Sequence, residues 1–279
     1  LMVSINSNAT LLNDKMVDFL AADPPARVNI TLYGASGETY GALCGDPTAY
    51  ERAVRAILAL QSAGVLVKLN CSVTPYNRQD ADRIYAFAHE HKLPVQAASY
   101  MFPPVRACEH GCYAPDRLTP EQAAEEKLRY DKSRFTPDEL RRRWGALLKG
   151  ESVPDPDSEC QELPTERIRC RAGSSTFWVT WDRQLRPCGM MTEPGVPLAP
   201  GSFGESWREI RRKREKIMVP AKCSACAMSH ACDQCAAVCY AESGSFTAAP
   251  AYMCEQTSCF LSKIRKDPIW KMPENGGKN

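Results

Sequence analysis

The first hundred residues switch repeatedly between two hydrophobic periods. MVSIN at 2–6 reads as a short strand, and Met16, Val17 and Leu20 then recur at helical spacing over 13–22. Asp23-Pro24-Pro25 ends that helix, because proline lacks the amide hydrogen and disfavours helix in the residue before it. VNITLY at 28–33 is the next strand, and Gly34 breaks it. Tyr50, Ala53, Val54, Ile57 and Leu58 share one face of a helix over 48–63, with Gly64 placed to cap it. From 65 to 74 the alternation is strict. Val65, Val67, Leu69, Cys71 and Val73 face one way, and Lys68, Asn70, Ser72 and Thr74 the other. A helix over 79–91 and a strand over 95–102 complete the run.

Strands that alternate with helices predict a parallel α/β sheet with right-handed crossovers. A sheet covered by helices on both faces has strands that read as nearly continuous apolar runs. The polar side of 65–74 therefore predicts a barrel or open barrel with a polar lumen, or else an edge strand with one wet face. An α/β barrel or open barrel is expected over residues 1–105.

Beyond it the grammar changes. Two charged helices, at about 119–132 and 136–148, each open with Thr-Pro, and VPDPDSECQELP at 153–164 reads as a linker. Residues 106–165 are thus a helical connector. In SSTFWVTWDRQLRPC, Phe177, Val179 and Trp181 alternate and Asp182-Arg183 sits at a turn, which predicts a β-hairpin. That hairpin belongs to a small cysteine-rich domain over 166–262, followed by a tail at 263–279.

Composition then narrows the chemistry. Of 14 cysteines only Cys44 and Cys71 fall in the first hundred residues. With 35 basic and 33 acidic residues the net charge is +2, which gives no reason to expect nucleic acid or an anionic membrane as a partner. No apolar run is long enough to span a bilayer, and the opening LMVSINSNATLL lacks a secretory pattern. The expected compartment is the cytoplasm, where clustered cysteines hold metals instead of disulfides.

The cluster reads Cys170, Cys188, then Cys223-x2-Cys226-x5-Cys232-x2-Cys235-x3-Cys239, then Cys254. A Cys-x2-Cys turn lets two thiolates reach one centre. Cys232, Cys235 and Cys239 share a face if the segment is helical. Eight thiolates match two iron–sulfur clusters at four each. Structural zinc is the competing reading, although zinc ribbons separate their two knuckles by about fifteen residues or more, against five here.

This spacing resembles the SPASM domain of radical SAM enzymes, which carries auxiliary [4Fe-4S] clusters. The Trp181-Asp182 turn before Cys188 also matches, while Arg183 stands where the motif has glycine and Cys235 and Cys239 replace a single cysteine. The resemblance implies that Cys223, Cys226, Cys232 and Cys254 hold an outer cluster. Cys170 and Cys188 begin an inner one, which Cys235 and Cys239 complete. INSNATLL, NITLYGASGETY and VKLNCSVTPYN are similar to the third, fourth and fifth strand segments of radical SAM barrels. That likeness implies a partial (β/α)6 open barrel of parallel strands, with S-adenosylmethionine (SAM) near Thr31, Ser72, Thr74 and Asn77.

No Cys-x3-Cys-x2-Cys spacing, which holds the SAM-cleaving cluster in that family, occurs in the chain. Its nearest approach is Cys108-x3-Cys112. The expectation is a fragment of a longer enzyme, inactive alone, whose parent binds SAM and a third [4Fe-4S] cluster. The resemblance implies a maturase acting on a peptide or protein and reduced by flavodoxin or ferredoxin. A non-catalytic iron–sulfur electron carrier and a zinc-stabilised interaction module are the alternatives. Cys160, Cys259, His89, His91 and His230 receive no part in the chemistry.

Overall fold

The computed structural model describes residues 2–103, 116–153, 168 and 170–271. Its contacts divide the chain into two compact units, the first within Leu1–Met101 and Pro115–Phe135 and the second within Phe102–Ala114 and Thr136–Asn279. The segment read above as one connector is therefore shared between them. Its linker portion, with Cys160, and the pair Cys108 and Cys112 lie outside the described residues.

The first unit is a four-stranded parallel sheet: β1 (Ser4–Ser7), β2 (Arg27–Thr31), β3 (Val67–Ser72) and β4 (Val95–Ala98), in that order. Between the strands run α1 (Asp14–Ala22), α2 (Gly37–Cys44), α3 (Ala49–Ser62) and α4 (Ala81–Glu90), and α5 (Pro120–Arg134) packs on α4. The expected α/β sheet is present, and β3 pairs with a strand on each side, so the edge-strand alternative is excluded. Val67, Leu69 and Cys71 point into a core with Val28, Ile30, Ile57, Leu60 and Ile84. Lys68, Asn70 and Ser72 are half-buried on the opposite face.

That face carries rows of polar side chains. In register, Asn6 lies beside Asn29 and Asn29 beside Lys68, while Thr31 lies beside Asn70 and Asn70 beside Gln96. Asn29 donates to Asn6 at 2.9 Å and Lys68 to Gln96 at 2.7 Å. The helices start and stop where their sequences dictate. Asn13 caps α1, and Thr119 and Thr136 form capping boxes with Gln122 and Glu139 ahead of α5 and α6 (Pro137–Leu148). Gly64 takes the left-handed conformation, φ 78°, that ends α3.

Helix α2 falls in a segment read from the sequence as loop. Ser36 caps it by accepting from the Thr39 N–H at 3.2 Å, and Asp80 anchors the turn before it. The Asp80 side chain is 1% exposed and accepts the Ala35 N–H at 2.7 Å, with Arg83 on its other oxygen. Gly34 makes this approach possible, since a Cβ there would stand 2.5 Å from Thr39 and 3.1 Å from Asp80.

The second unit holds α6, a small sheet of β5 (Trp178–Val179), β6 (Gln184–Arg186) and β7 (Val196–Pro197), and then α7 (Phe203–Arg214), α8 (Ala221–Ser224), α9 (Ala236–Ser243) and α10 (Ala251–Lys266). The expected hairpin is present, with Trp178 opposite Arg186 and Val179 opposite Leu185. Arg183 occupies its turn at φ 59°. The position that holds glycine in the motif does require left-handed backbone, and arginine adopts it here. Cys232 departs from the helical reading: it lies in extended backbone before α9, while Cys235 is the residue that caps α9 and Cys239 sits one turn inside it. The three thiols therefore do not share one helix face.

Two consequences are measurable by denaturant unfolding. Burial pushes the Asp80 carboxyl up, but hydrogen bonds from Thr39, the Ala35 N–H and Arg83 outweigh it and hold the carboxyl below its ordinary range. Its contribution is therefore complete above the unfolded carboxyl value, near pH 4, and fades as the pH drops through the lower folded value. Asp80→Asn should cost about 1–3 kcal/mol at neutral pH, and the gap to the parent should narrow in acid. Arg183→Gly relieves a left-handed residue at the price of a freer unfolded chain, so its stability should match the parent or exceed it by about 1 kcal/mol.

Candidate metal centre

Four thiols from three separate segments meet around one cavity. Cys223 lies on α8, Cys226 and Cys232 on the irregular chain that follows, and Cys254 on the first turn of α10. Together with Met228, Ser229, Gln234, Pro250, Met253 and Thr257 they line a single cavity. Short loops and the one-turn helix α8 achieve this because each Cys-to-Cys step closes on a local hydrogen bond. The Cys223 N–H donates to Pro220, that of Cys226 to Cys223, and that of Ser229 to Cys226. Thr257 braces the far wall by donating to the Met253 carbonyl at 2.7 Å.

A second group of thiols lies on a different core. Cys170, Cys188 and Cys235 pack against one apolar cluster of Ile168, Ala172, Met191, Ile217, Ala236 and Ala237. Cys170 and Cys188 also line a groove with Phe177, Trp178 and Gly189. Trp178 lies flat on Gly189, where a Cβ would come within 2.9 Å of its ring. Cys239 is fully buried. Its thiol neighbours are Cys223 of the first group and Cys235 of the second.

Burial pushes these thiols up: Cys235 to about 11 and Cys239 to about 12, with Cys188, Cys223 and Cys232 displaced in the same direction. Donors oppose the shift. The N–H groups of Ala237 and Val238 face Cys235, and the Met190 N–H reaches Cys188 at 3.4 Å. Such N–H···S contacts are what a thiolate ligand needs around it, and metal uptake displaces the thiol protons.

All eight candidate donors are soft sulfur, which suits zinc and iron–sulfur clusters alike. Zinc–thiolate bonds of 2.3 Å in a tetrahedron place sulfurs about 3.8 Å apart. Among the described residues no three cysteine, histidine or acidic side chains stand close enough to share one metal ion.

Arg214 was not legible as part of this region. It belongs to the basic run RRKREK, which reads as a solvated helix end. Its guanidinium instead donates to the carbonyls of Ile168, Cys170 and Ala172 at 3.0–3.3 Å and so fixes the Cys170 segment. Gly173, at φ 67°, lets the turn pass beneath it. Cys259 lies further along α10 and does not line the cavity. His230 contacts the Leu147 carbonyl at 2.9 Å, and the His91 ring packs tilted against Phe87 with centroids 4.5 Å apart.

In the first unit the residues expected near SAM sit at or just past the ends of β2 and β3. Thr31 and Ser72 are half-buried on the polar face. Asn77 is 1% exposed and spends its amide on the chain itself. It donates to the Tyr33 carbonyl at 2.9 Å and the Ser72 carbonyl at 3.0 Å, and it accepts from the Thr74 N–H at 2.7 Å. Thr74 also donates its hydroxyl to Asn77 at 3.2 Å and is buried. Asn77 and Thr74 thus tie the two strand ends together, with Thr31 and Ser72 beside them on the polar face.

No protein-family model matches the chain. A protein named AdoMet-dependent heme synthase from Methanosarcina barkeri is 25% identical over 256 residues, which is 88% of this chain and 72% of that protein. Its namesake from Nitratidesulfovibrio vulgaris is 24% identical over 95% of this chain and 72% of that protein. Among solved structures, native anSMEcpe with bound AdoMet superimposes with a TM-score of 0.63 at 17% identity, over 94% of this chain and 72% of that one. The same protein has been solved with AdoMet and the Cp18Cys peptide, with a TM-score of 0.64 at 15% identity over 94% of this chain and 73% of that one. SuiB of Streptococcus suis bound to its precursor peptide SuiA gives 0.60 at 15% identity, over 90% of this chain and 58% of that one. No helix among the described residues is long and apolar enough to cross a membrane. The sequence relatives and the shared fold together bear out the resemblance of this chain to radical SAM/SPASM proteins.

Proposed function

We propose that the chain is the SAM-facing sheet and the auxiliary-cluster domain of a radical SAM/SPASM enzyme that modifies a peptide or protein. The observation that carries this is the convergence of Cys223, Cys226, Cys232 and Cys254 on one cavity. Those four residues would hold the outer [4Fe-4S] cluster, and Cys170, Cys188, Cys235 and Cys239 the inner one. When bound, the clusters supply one-electron redox capacity or a Lewis-acidic iron beside the substrate.

The residues of the chain contribute binding and order. Thr31 and Ser72 present hydroxyls at the strand ends for SAM, held in place by the Asn77 and Thr74 turn. The amide-lined face below them offers donors and acceptors suited to a peptide backbone. Met253, Met228 and Pro250 give the outer cavity an apolar wall that limits water at the thiolates. Reduction from flavodoxin or ferredoxin in the cytoplasm completes the reading, and the SAM-cleaving cluster belongs to a Cys-x3-Cys-x2-Cys loop, a spacing these 279 residues do not contain.

The test is metal content in thiol variants after anaerobic reconstitution. Cys226→Ser and Cys188→Ser should each retain about half of the parent's iron and sulfide, as expected when four thiolates serve each cluster. Cys259→Ser should retain all of it. Equal losses in all three variants would contradict the two-site assignment.

A second reading comes from the sequence relatives, whose name makes a tetrapyrrole, heme, the product. Titration of the reconstituted protein with a porphyrin, followed by visible absorption, separates the two. A peptide-modifying enzyme should leave the porphyrin spectrum unchanged, whereas a saturable shift at one porphyrin per chain would favour the tetrapyrrole.

A further inference from the structure

Gln234 is placed between the two thiol groups and touches both. Its side chain lines the outer cavity, and its Nε2 lies 2.8 Å from the Sγ of Cys239. Its backbone N–H faces the sulfur of Cys232, an outer-cavity thiol. Cys239 in turn is fully buried and has one thiol neighbour in each group. A thiolate sulfur only accepts hydrogen bonds, so the amide must turn its N–H toward Cys239 when that sulfur is ionised. Gln234 follows Cys232 by two residues and precedes Cys235 by one, inside the Cys-x2-Cys-x3-Cys segment that departs from the family spacing.

We infer that Gln234 is a positioning residue that tunes and links the two clusters: its side-chain amide donates to Cys239 while its backbone serves Cys232. The inference rests on the cluster reading above. A hydrogen bond to a ligating sulfur offsets negative charge and favours the reduced, more negative state of the cluster. Removing that donor should make the cluster harder to reduce. Replacing it with a carboxylate should do so more strongly, because an anion then stands where the N–H stood.

The experiment is a redox titration of the reconstituted full chain followed by electron paramagnetic resonance, with iron and sulfide measured in parallel. In Gln234→Leu one of the two midpoint potentials should fall, and in Gln234→Glu the same one should fall further, at unchanged iron content. The order matters. A role in packing alone makes the nearly isosteric glutamate the milder change, which is the reverse. Unchanged potentials in both variants, or the reverse order, would overturn the inference. Loss of iron from the variants with the parent fully loaded would assign Gln234 to cluster assembly and overturn it as well. A parent that takes up neither iron nor sulfide would instead remove the cluster reading on which it rests.

Discussion

One short stretch of backbone, from Cys232 to Cys239, has to serve two groups of thiols that face different ways. The chain manages this by changing conformation between them. Cys232 is extended and turns its sulfur toward the outer cavity, Cys235 caps a helix, and Cys239 is carried one turn inside. A continuous helix would have placed all three on one face and left one group short of a thiol. Helix α9, closed by Gly244 at φ 73°, presents Cys239 in its first turn. The apolar cluster beneath Cys170, Cys188 and Cys235 and the hydrogen bonds of Arg214 then hold the remaining inner thiols against it.

The first unit depends on a comparable economy at its strand ends. Its sheet buries one face in aliphatic side chains and leaves the other polar, so the polar side must be ordered without a core of its own. Buried polar groups do that work. Asn77 links the ends of β2 and β3, and Asp80 pins the loop ahead of α2 at the point where Gly34 allows close approach. Asn77 is satisfied mainly by backbone groups, and Asp80 by the Ala35 N–H and the Arg83 side chain; a satisfied buried network of this kind specifies one arrangement of the loops. Thr31 and Ser72 are then held in place with their hydroxyls uncommitted to the turn.

Most of the architecture was legible because it follows period and punctuation. The strict alternation of Val67 to Ser72 marked both the strand and its wet face, and Thr-Pro marked the starts of α5 and α6. The Asp182-Arg183 turn was visible for the same reason. Helix α2 was not, because GETYGALC has no apolar stripe and its glycines weaken any helical signal; the Ser36 cap was the available clue. Nor was the helical misreading of Cys232 avoidable from spacing alone, since three- and four-residue steps suit both a helix and a metal turn. Arg214 was hidden by its neighbours, as a basic run gives no sign of which member turns inward to carbonyls. The thiol groups themselves were legible by spacing, but the partition of Cys239 depends on Gln234 and on the path of the chain.

The most direct measurement is iron, zinc and acid-labile sulfide per chain after anaerobic purification and reconstitution. Two clusters held by the two thiol groups require about eight irons and eight sulfides per chain with little zinc. Stoichiometric zinc without sulfide would contradict the account and leave a structural metal module beside an α/β sheet.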